Sequence, residues 1–321
     1  MAWDSVPWFV GGGAQHSPEV ARLLAYSAMR GNEGIVGSGD LAVKALAVPG
    51  ASVRVLPGAC SIINRASGGN YQVYAGRLIS EDTVPIAATG SGSGRSDLVV
   101  ARVEDPWLAG EPWPDPVDPT VGPYIFTRVI SGVPSTTKTV TELGLGYSAI
   151  PLARIDIPAS TGTITAGMIV DLRKVANPRR ERSVFTVNPG ATNTLTSTAF
   201  TAWPSAASWS VAVPSWATKA IVRASIGGVN MAVGIAHGEI RVSLGTVTTQ
   251  GTGYDETVPT GAVLDRKFWR CADTVTIPSA MQGTTQTLRI EGYRASGATA
   301  SVAADTASSC EIDIEFIEVA A

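Results

Sequence analysis

The sequence predicts a mainly β protein of two domains: an N-terminal β-rich domain with one or two short helices, then a C-terminal antiparallel β-sandwich, jelly-roll-like. Three observations carry this expectation. Thirty-four glycines and twenty prolines cut the chain into short pieces. The apolar runs between them are brief and often alternate with polar residues, as half-buried strands do. The clearest lies near the C-terminus, where Cys310, Ile312, Ile314 and Phe316 alternate with Glu311, Asp313 and Glu315. At 321 residues, 45% hydrophobic and 16% charged, the chain can bury two cores and is too apolar to be disordered.

The first element follows a triple glycine in "WFVGGGAQHSPEVARLLAY". Ser17 is a good N-cap, Pro18 suits the first helical position and Glu19 favours the positive helix end. Val20, Leu23, Leu24 and Ala28 recur on one face until Gly31, which predicts a helix. The glycines do not make a phosphate loop, because His16 replaces the third dinucleotide glycine and no Lys-Ser/Thr pair follows. They read as a bend into the helix.

A meander follows, with strands expected over 41–48, 52–56, 59–64 and 70–75, split by Pro49-Gly50, Pro57-Gly58 and Ser67-Gly68-Gly69. Further strands are expected over 84–88, 98–103, 124–130 and 149–157, and a short helix over 165–174 with Met168, Ile169 and Leu172 inward. The segment "EDPWLAGEPWPDPVDPTVGPY" is too rich in proline for a helix or a central strand. Its Trp107 and Trp113 either pack on their own domain or offer contacts to a neighbour or a sugar. "RKVANPRRERS" holds the one basic cluster, Arg173, Lys174, Arg179, Arg180 and Arg182, at the expected boundary between domains 1–182 and 183–321. It reads as a solvated linker face or a dock for an acidic neighbour. Strands over 208–213, 220–229, 232–244, 274–277, 285–293 and 310–319 complete the sandwich. The acids of the last strand read as a charged solvent face that discourages edge pairing, and the phase slip at Ile317 suggests a bulge or a second buried face.

Several chemistries are excluded. A net charge of −3 gives no basic footprint for nucleic acid. No apolar run nears the roughly 20 residues of a membrane helix, and no leader with a basic start and apolar core is read at the N-terminus. Cys60, Cys271 and Cys310 are odd in number and lack metal-site spacing, with only His16 and His237 to help; no metal or cofactor is expected. Whether Cys271 and Cys310 pair is left open. No GxSxG occurs, and Asp255 and Glu256 of "GTGYDETVP" are adjacent, which suits a glycosidase pair poorly. No catalytic residue is assigned. Trp203, Trp209, Trp216, Tyr254 and Trp269 are either core or stacking faces for sugar rings, Tyr254 being the candidate glycan contact.

"GGGAQHSPEVARLLAYSAMRGNEGIVGSGDLAVKALAVPGASVRVLPGACSIINR", "YQVYAGR" and "IPLARIDIPASTGTITAGMIVDLRK" together resemble, in the same order, the N-terminal region of minor tail proteins (baseplate or tail tip) of siphophages that infect actinobacteria. The resemblance spans roughly residues 1–182. It implies a virion structural protein of the distal tail, made in the host cytoplasm, that anchors to other tail-tip or baseplate proteins by its N-terminal half. It further implies an outward C-terminal half, often used for host attachment, and a homotrimer; host cell-wall glycan is the corresponding partner. The alternatives are a stand-alone carbohydrate-binding β-sandwich and a cell-wall glycan hydrolase.

Overall fold

The computed structural model describes residues 10–108, 118–261 and 265–321. It is mainly β and divides into two compact units, Met1–Asn177 with Ala320–Ala321, and Pro178–Val319. The division falls at Asn177–Pro178 rather than 182–183, because Arg180 and Arg182 already belong to the second unit's first strand.

In the first unit, Ser17 caps α1 (Pro18–Ala28), its Oγ accepting from the Val20 N–H at 3.4 Å. Gly12 and Gly13 precede it with φ of +73° and +83°, the left-handed conformation that glycine takes without strain. The helix buries less than its periodicity predicts: Val20 is buried, whereas Leu24 is 41% exposed. The strands are β1 (Gly34–Ile35), β2 (Val43–Ala45), β3 (Ser52–Val55), β4 (Gly58–Ile63), β5 (Val73–Leu78), β6 (Asp82–Pro85), β7 (Arg95–Val103), β8 (Ile125–Val133), β9 (Ala149–Ile157) and β10 (Ile169–Asp171). They form three antiparallel sheets, β1-β4-β5, β2-β3-β6 and β10-β9-β7-β8.

β7 is buried on both faces. Val99 and Ala101 join the larger core with Ile35, Val55, Leu152 and Ile155, while Leu98 and Val100 join a smaller one with Val133 and Val140. This explains its near-continuous apolar run. Asp97 on this strand is fully buried and satisfied by Arg95, whose Nε lies 2.7 Å away, and by the Gly132 N–H at 3.0 Å. The helix expected over 165–174 is a single 3-10 turn, Ala166–Met168, followed by β10. The β-branched Ile169 and Val170 pair with Ile155 and Arg154 of β9, and that pairing overrides the apparent helical spacing.

The second unit contains β11 (Arg180–Val187), β12 (Asn193–Thr194), β13 (Thr201–Ala202), β14 (Ser208–Ala212), β15 (Lys219–Met231), β16 (Gly234–Leu244), β17 (Val247–Thr248), β18 (Thr252–Val258), β19 (Asp265–Thr276), β20 (Thr285–Arg294), β21 (Val302–Ala304) and β22 (Ser309–Ile317). The long strands form two sheets, β11-β22-β15-β19 and β14-β20-β16-β18, with the short ones added at their ends. Counted one to eight in chain order, the long strands read 1-8-3-6 and 2-7-4-5, the strand order of a jelly roll. Leu195, Trp203, Ile226, Ile240, Leu288, Ile290, Ile312 and Ile314 fill the space between the sheets. β15 bulges at Gly227-Gly228, where Gly228 has φ +71° and a Cβ would lie 2.6 Å from the Ala307 carbonyl oxygen.

β22 corrects a sequence expectation. It lies between β11 and β15 rather than at an edge, and it ends at Ile317 with unbroken register. Its acids therefore face cations on both neighbouring strands.

Ile155 and Ile226 are both fully buried, one in each unit. Ile155→Ala and Ile226→Ala should each destabilise their own unit by about 2–5 kcal/mol, in denaturant unfolding followed by hydrogen exchange.

Candidate functional site

The site with the most chemistry on its surface is a groove of about 390 Å³ in the first unit, between β5, the start of β8 and α1. Trp107, 70% exposed, forms one wall, and Tyr124, 37% exposed, another. The backbone of one and the ring of the other are tied down. The Trp107 backbone N–H donates to Asp105 Oδ1 at 3.0 Å, and the Tyr124 hydroxyl donates to the Pro119 carbonyl at 2.7 Å. Tyr74, carried by β5, donates its hydroxyl to Asp105 Oδ2 at 3.0 Å. Arg22 of α1 lies over the Tyr74 ring, 5.1 Å from its centroid, and is fixed by Gln72 at 2.6 Å and Glu19 at 3.4 Å. The floor is backbone and apolar side chain, including Gly76 and Ile125.

Of the sequence candidates, Trp107 stands in this groove and Trp113 lies outside the described residues. Tyr74, Tyr124, Asp105 and Arg22 were not singled out, since they come from three separate stretches of sequence. The Asp-Pro-Trp spacing, with a carboxylate two residues before the ring, was the one local signal.

The basic cluster divides between the units. Arg173 is buried in the first, donating to the Ser38, Asp40 and Ala321 carbonyls and to Asp171. Arg179 grips Glu318 with two bonds of 2.8 and 2.7 Å, Arg180 reaches Glu315 at 3.2 Å, and Arg182 grips Asp313 with bonds of 2.7 and 3.0 Å. Arg223 of β15 approaches Asp313 from the other side at 3.5 Å. The acids that meet this cluster thus belong to the chain's own C-terminal stretch. Hydrogen bonding from Arg182 holds the Asp313 carboxyl below the usual carboxylate range, with the nearby Arg223 adding to it.

The aromatic candidates of the second unit turn inward. Tyr254 is 7% exposed and stacks on Trp269 at 4.0 Å, its hydroxyl donating to the Tyr293 carbonyl at 3.0 Å. Burial pushes that hydroxyl up to about 12. Trp203 completes the group, 5.9 Å from Trp269, with its indole N–H on the Asn193 carbonyl. Trp209 and Trp216 pack against the same core. Tyr254 is therefore no surface glycan contact; its ring has gone into the hydrophobic interior, which gains more from a buried aromatic than solvent does. "GTGYDETVP" is strand β18 rather than a turn, and Glu256 pairs with Lys267 at 3.4 Å. Among the described residues no three His, Cys, Asp or Glu side chains gather as metal ligands.

No family model and no curated protein matches the chain. Among solved structures, it overlaps with that of infectious bursal disease virus, Gx strain, at 13% identity and a TM-score of 0.29, over 89% of this chain and 69% of that one. The VP2 subviral particle of the same virus gives 13% identity and 0.27, over 90% and 75%. The insecticidal delta-endotoxin Cry8Ea1 of Bacillus thuringiensis gives 10% and 0.20, over 88% and 52%. Overlaps this slight carry no argument about fold or function. What the strand pairing and the groove themselves define is a two-unit antiparallel β protein, one unit a jelly roll and the other bearing an aromatic surface groove.

Two outcomes follow from the charges and thiols. Because the Asp313 pKa is depressed on folding, its contribution to stability is present above the unfolded carboxylate value of about 3.9 and lost as pH falls through the folded value. Asp313→Asn should cost on the order of 1–2 kcal/mol at neutral pH, and the difference from wild type should vanish in acid unfolding well below pH ~4. Burial raises the thiols of Cys60 to about 12 and of Cys271 and Cys310 to about 11, and all three are free. None should be alkylated by iodoacetamide in native protein near pH ~8, and all should react once the chain is unfolded, as read by mass spectrometry.

Proposed function

We propose that this chain is a non-enzymatic structural subunit of a bacteriophage virion, a minor tail protein of the distal tail. The observation that carries the reading is the ordered resemblance of three sequence stretches to the N-terminal region of actinobacterial siphophage tail proteins. Those stretches contribute α1, β1–β5, β9 and β10, all elements of one compact unit. A resemblance confined to one folding unit is what a conserved attachment module joined to a different outward module would give.

On this reading the first unit anchors to neighbouring tail-tip or baseplate proteins, and the jelly roll contributes to contact with the host cell surface. The chain assembles as a homotrimer. The inward packing of Trp203, Tyr254 and Trp269 weakens the alternative of a carbohydrate-binding sandwich that uses those rings.

Gold-labelled antibody raised against the chain should decorate the tail tips of purified virions; labelling confined to heads, or absent, would overturn the assignment. Light scattering of the purified protein should give three times the chain mass of 33.2 kDa. A monomer mass at micromolar concentration would count against self-assembly outside the particle.

A further inference from the structure

We infer that the Trp107 groove of the first unit binds a single neutral pyranose ring. The proposal goes beyond the tail assignment, which places host contact in the other unit, and it stands or falls without it.

Four features of the groove combine. The first is an exposed indole whose backbone is fixed. At 70% exposure Trp107 presents a flat apolar surface to water, and a tryptophan so placed is unfavourable unless something covers it. Its backbone N–H bond to Asp105 sets where the indole is rooted, and the Tyr124 hydroxyl bond to Pro119 holds the other wall. A pyranose has a C–H face that matches such a surface and a rim of hydroxyls that does not.

The second feature supplies that rim. Asp105 Oδ1 and Oδ2 each already accept one bond, from the Trp107 N–H and the Tyr74 hydroxyl, and each carboxylate oxygen retains capacity for another. Paired hydroxyls are good donors to such a carboxylate. Arg22, clamped by Gln72 and Glu19 and laid over Tyr74, offers the complementary donors.

Charge is the third feature. Arg22 is balanced by Glu19, and Asp105 adds a negative charge without a guanidinium bonded to it among the described residues. An anionic sugar or a phosphate would meet Asp105 unfavourably, so among pyranoses the neutral ones fit best. The fourth is size. About 390 Å³ falls in the lower part of the range of small-molecule clefts, enough for one ring with part of a second.

The competing occupant is an extended peptide, because β5 and β8 are both terminal strands in their sheets and border this groove. The exposed indole and the carboxylate beside it favour the sugar.

The test is saturation-transfer NMR on the full chain with the methyl pyranosides of glucose, galactose, mannose and N-acetylglucosamine. At least one should bind saturably, with a Kd of about 1 mM or tighter. Trp107→Ala should weaken it by about tenfold or more, Trp107→Phe less, and Asp105→Asn should weaken it as well. Phe268→Ala, which removes an equally exposed aromatic of the second unit, should leave binding unchanged. Unchanged thermal unfolding of the Trp107 variants shows that the loss is local. Absence of saturable binding by all four sugars, or binding indifferent to Trp107, overturns the proposal. So does Trp107-dependent binding of a roughly ten-residue alternating Val-Thr peptide in place of the sugars, which would make the groove a strand acceptor.

Discussion

The second unit depends on one pairing, that of its last strand with its first. β22 lies between β11 and β15 along its whole length, so the sheet is incomplete until the final residues of the unit arrive. This placement dictates the side chains. The acids of a central strand stand on the sheet face beside the side chains of both neighbours, and Arg180, Arg182 and Arg223 on the two flanking strands meet them. The acids are not decoration on an edge. They are one half of a ladder whose other half was written into the sequence some 130 residues earlier, at separations of 131 and 135 for the Arg182 and Arg180 bonds. Pairings this distant must close a large loop before they stabilise anything, which makes the unit a slow folder by topology.

That dependence also explains which parts of the fold were legible in sequence. Where a signal is local, it was read correctly: Ser17-Pro18-Glu19 starts a helix, and the alternation of residues 310–316 makes a strand. Where the deciding partner is distant, local patterns misled. Arg179, Arg180 and Arg182 resembled a linker because their acids lie at the other end of the unit. Asp255 and Glu256 stood in a stretch with no strand expected, although β16 supplies a partner that holds residues 252–258 as a strand. Met168, Ile169 and Leu172 kept helical spacing by coincidence, and β9 drew Ile169 and Val170 into a sheet.

The groove was legible only at Trp107. Tyr74, Asp105, Tyr124 and Arg22 are ordinary residues in their own stretches, and their significance comes from convergence. The tryptophans and Tyr254 of the second unit show the reverse case. Sequence offered them as surface platforms or core with no means of choosing, and the sandwich took up the large rings because filling its interior requires them. The first unit presents an exposed indole beside a carboxylate, and the second an outer sheet face carrying mutually neutralising charges.

The chain leaves the first unit at Asn177 and rejoins it at Ala320, where Ala321 donates its N–H to Ser38 and accepts from Arg173. The two ends of the jelly roll are neighbours: Arg180 sits opposite Ile317, and Arg179 grips Glu318. A module whose entrance and exit adjoin can be lifted out of a host chain and replaced by another of similar footing without stretching the host's connections. Covalent architecture of this kind means that the second unit could be removed by one joint, Asn177 to Ala320, without cutting a strand of the first.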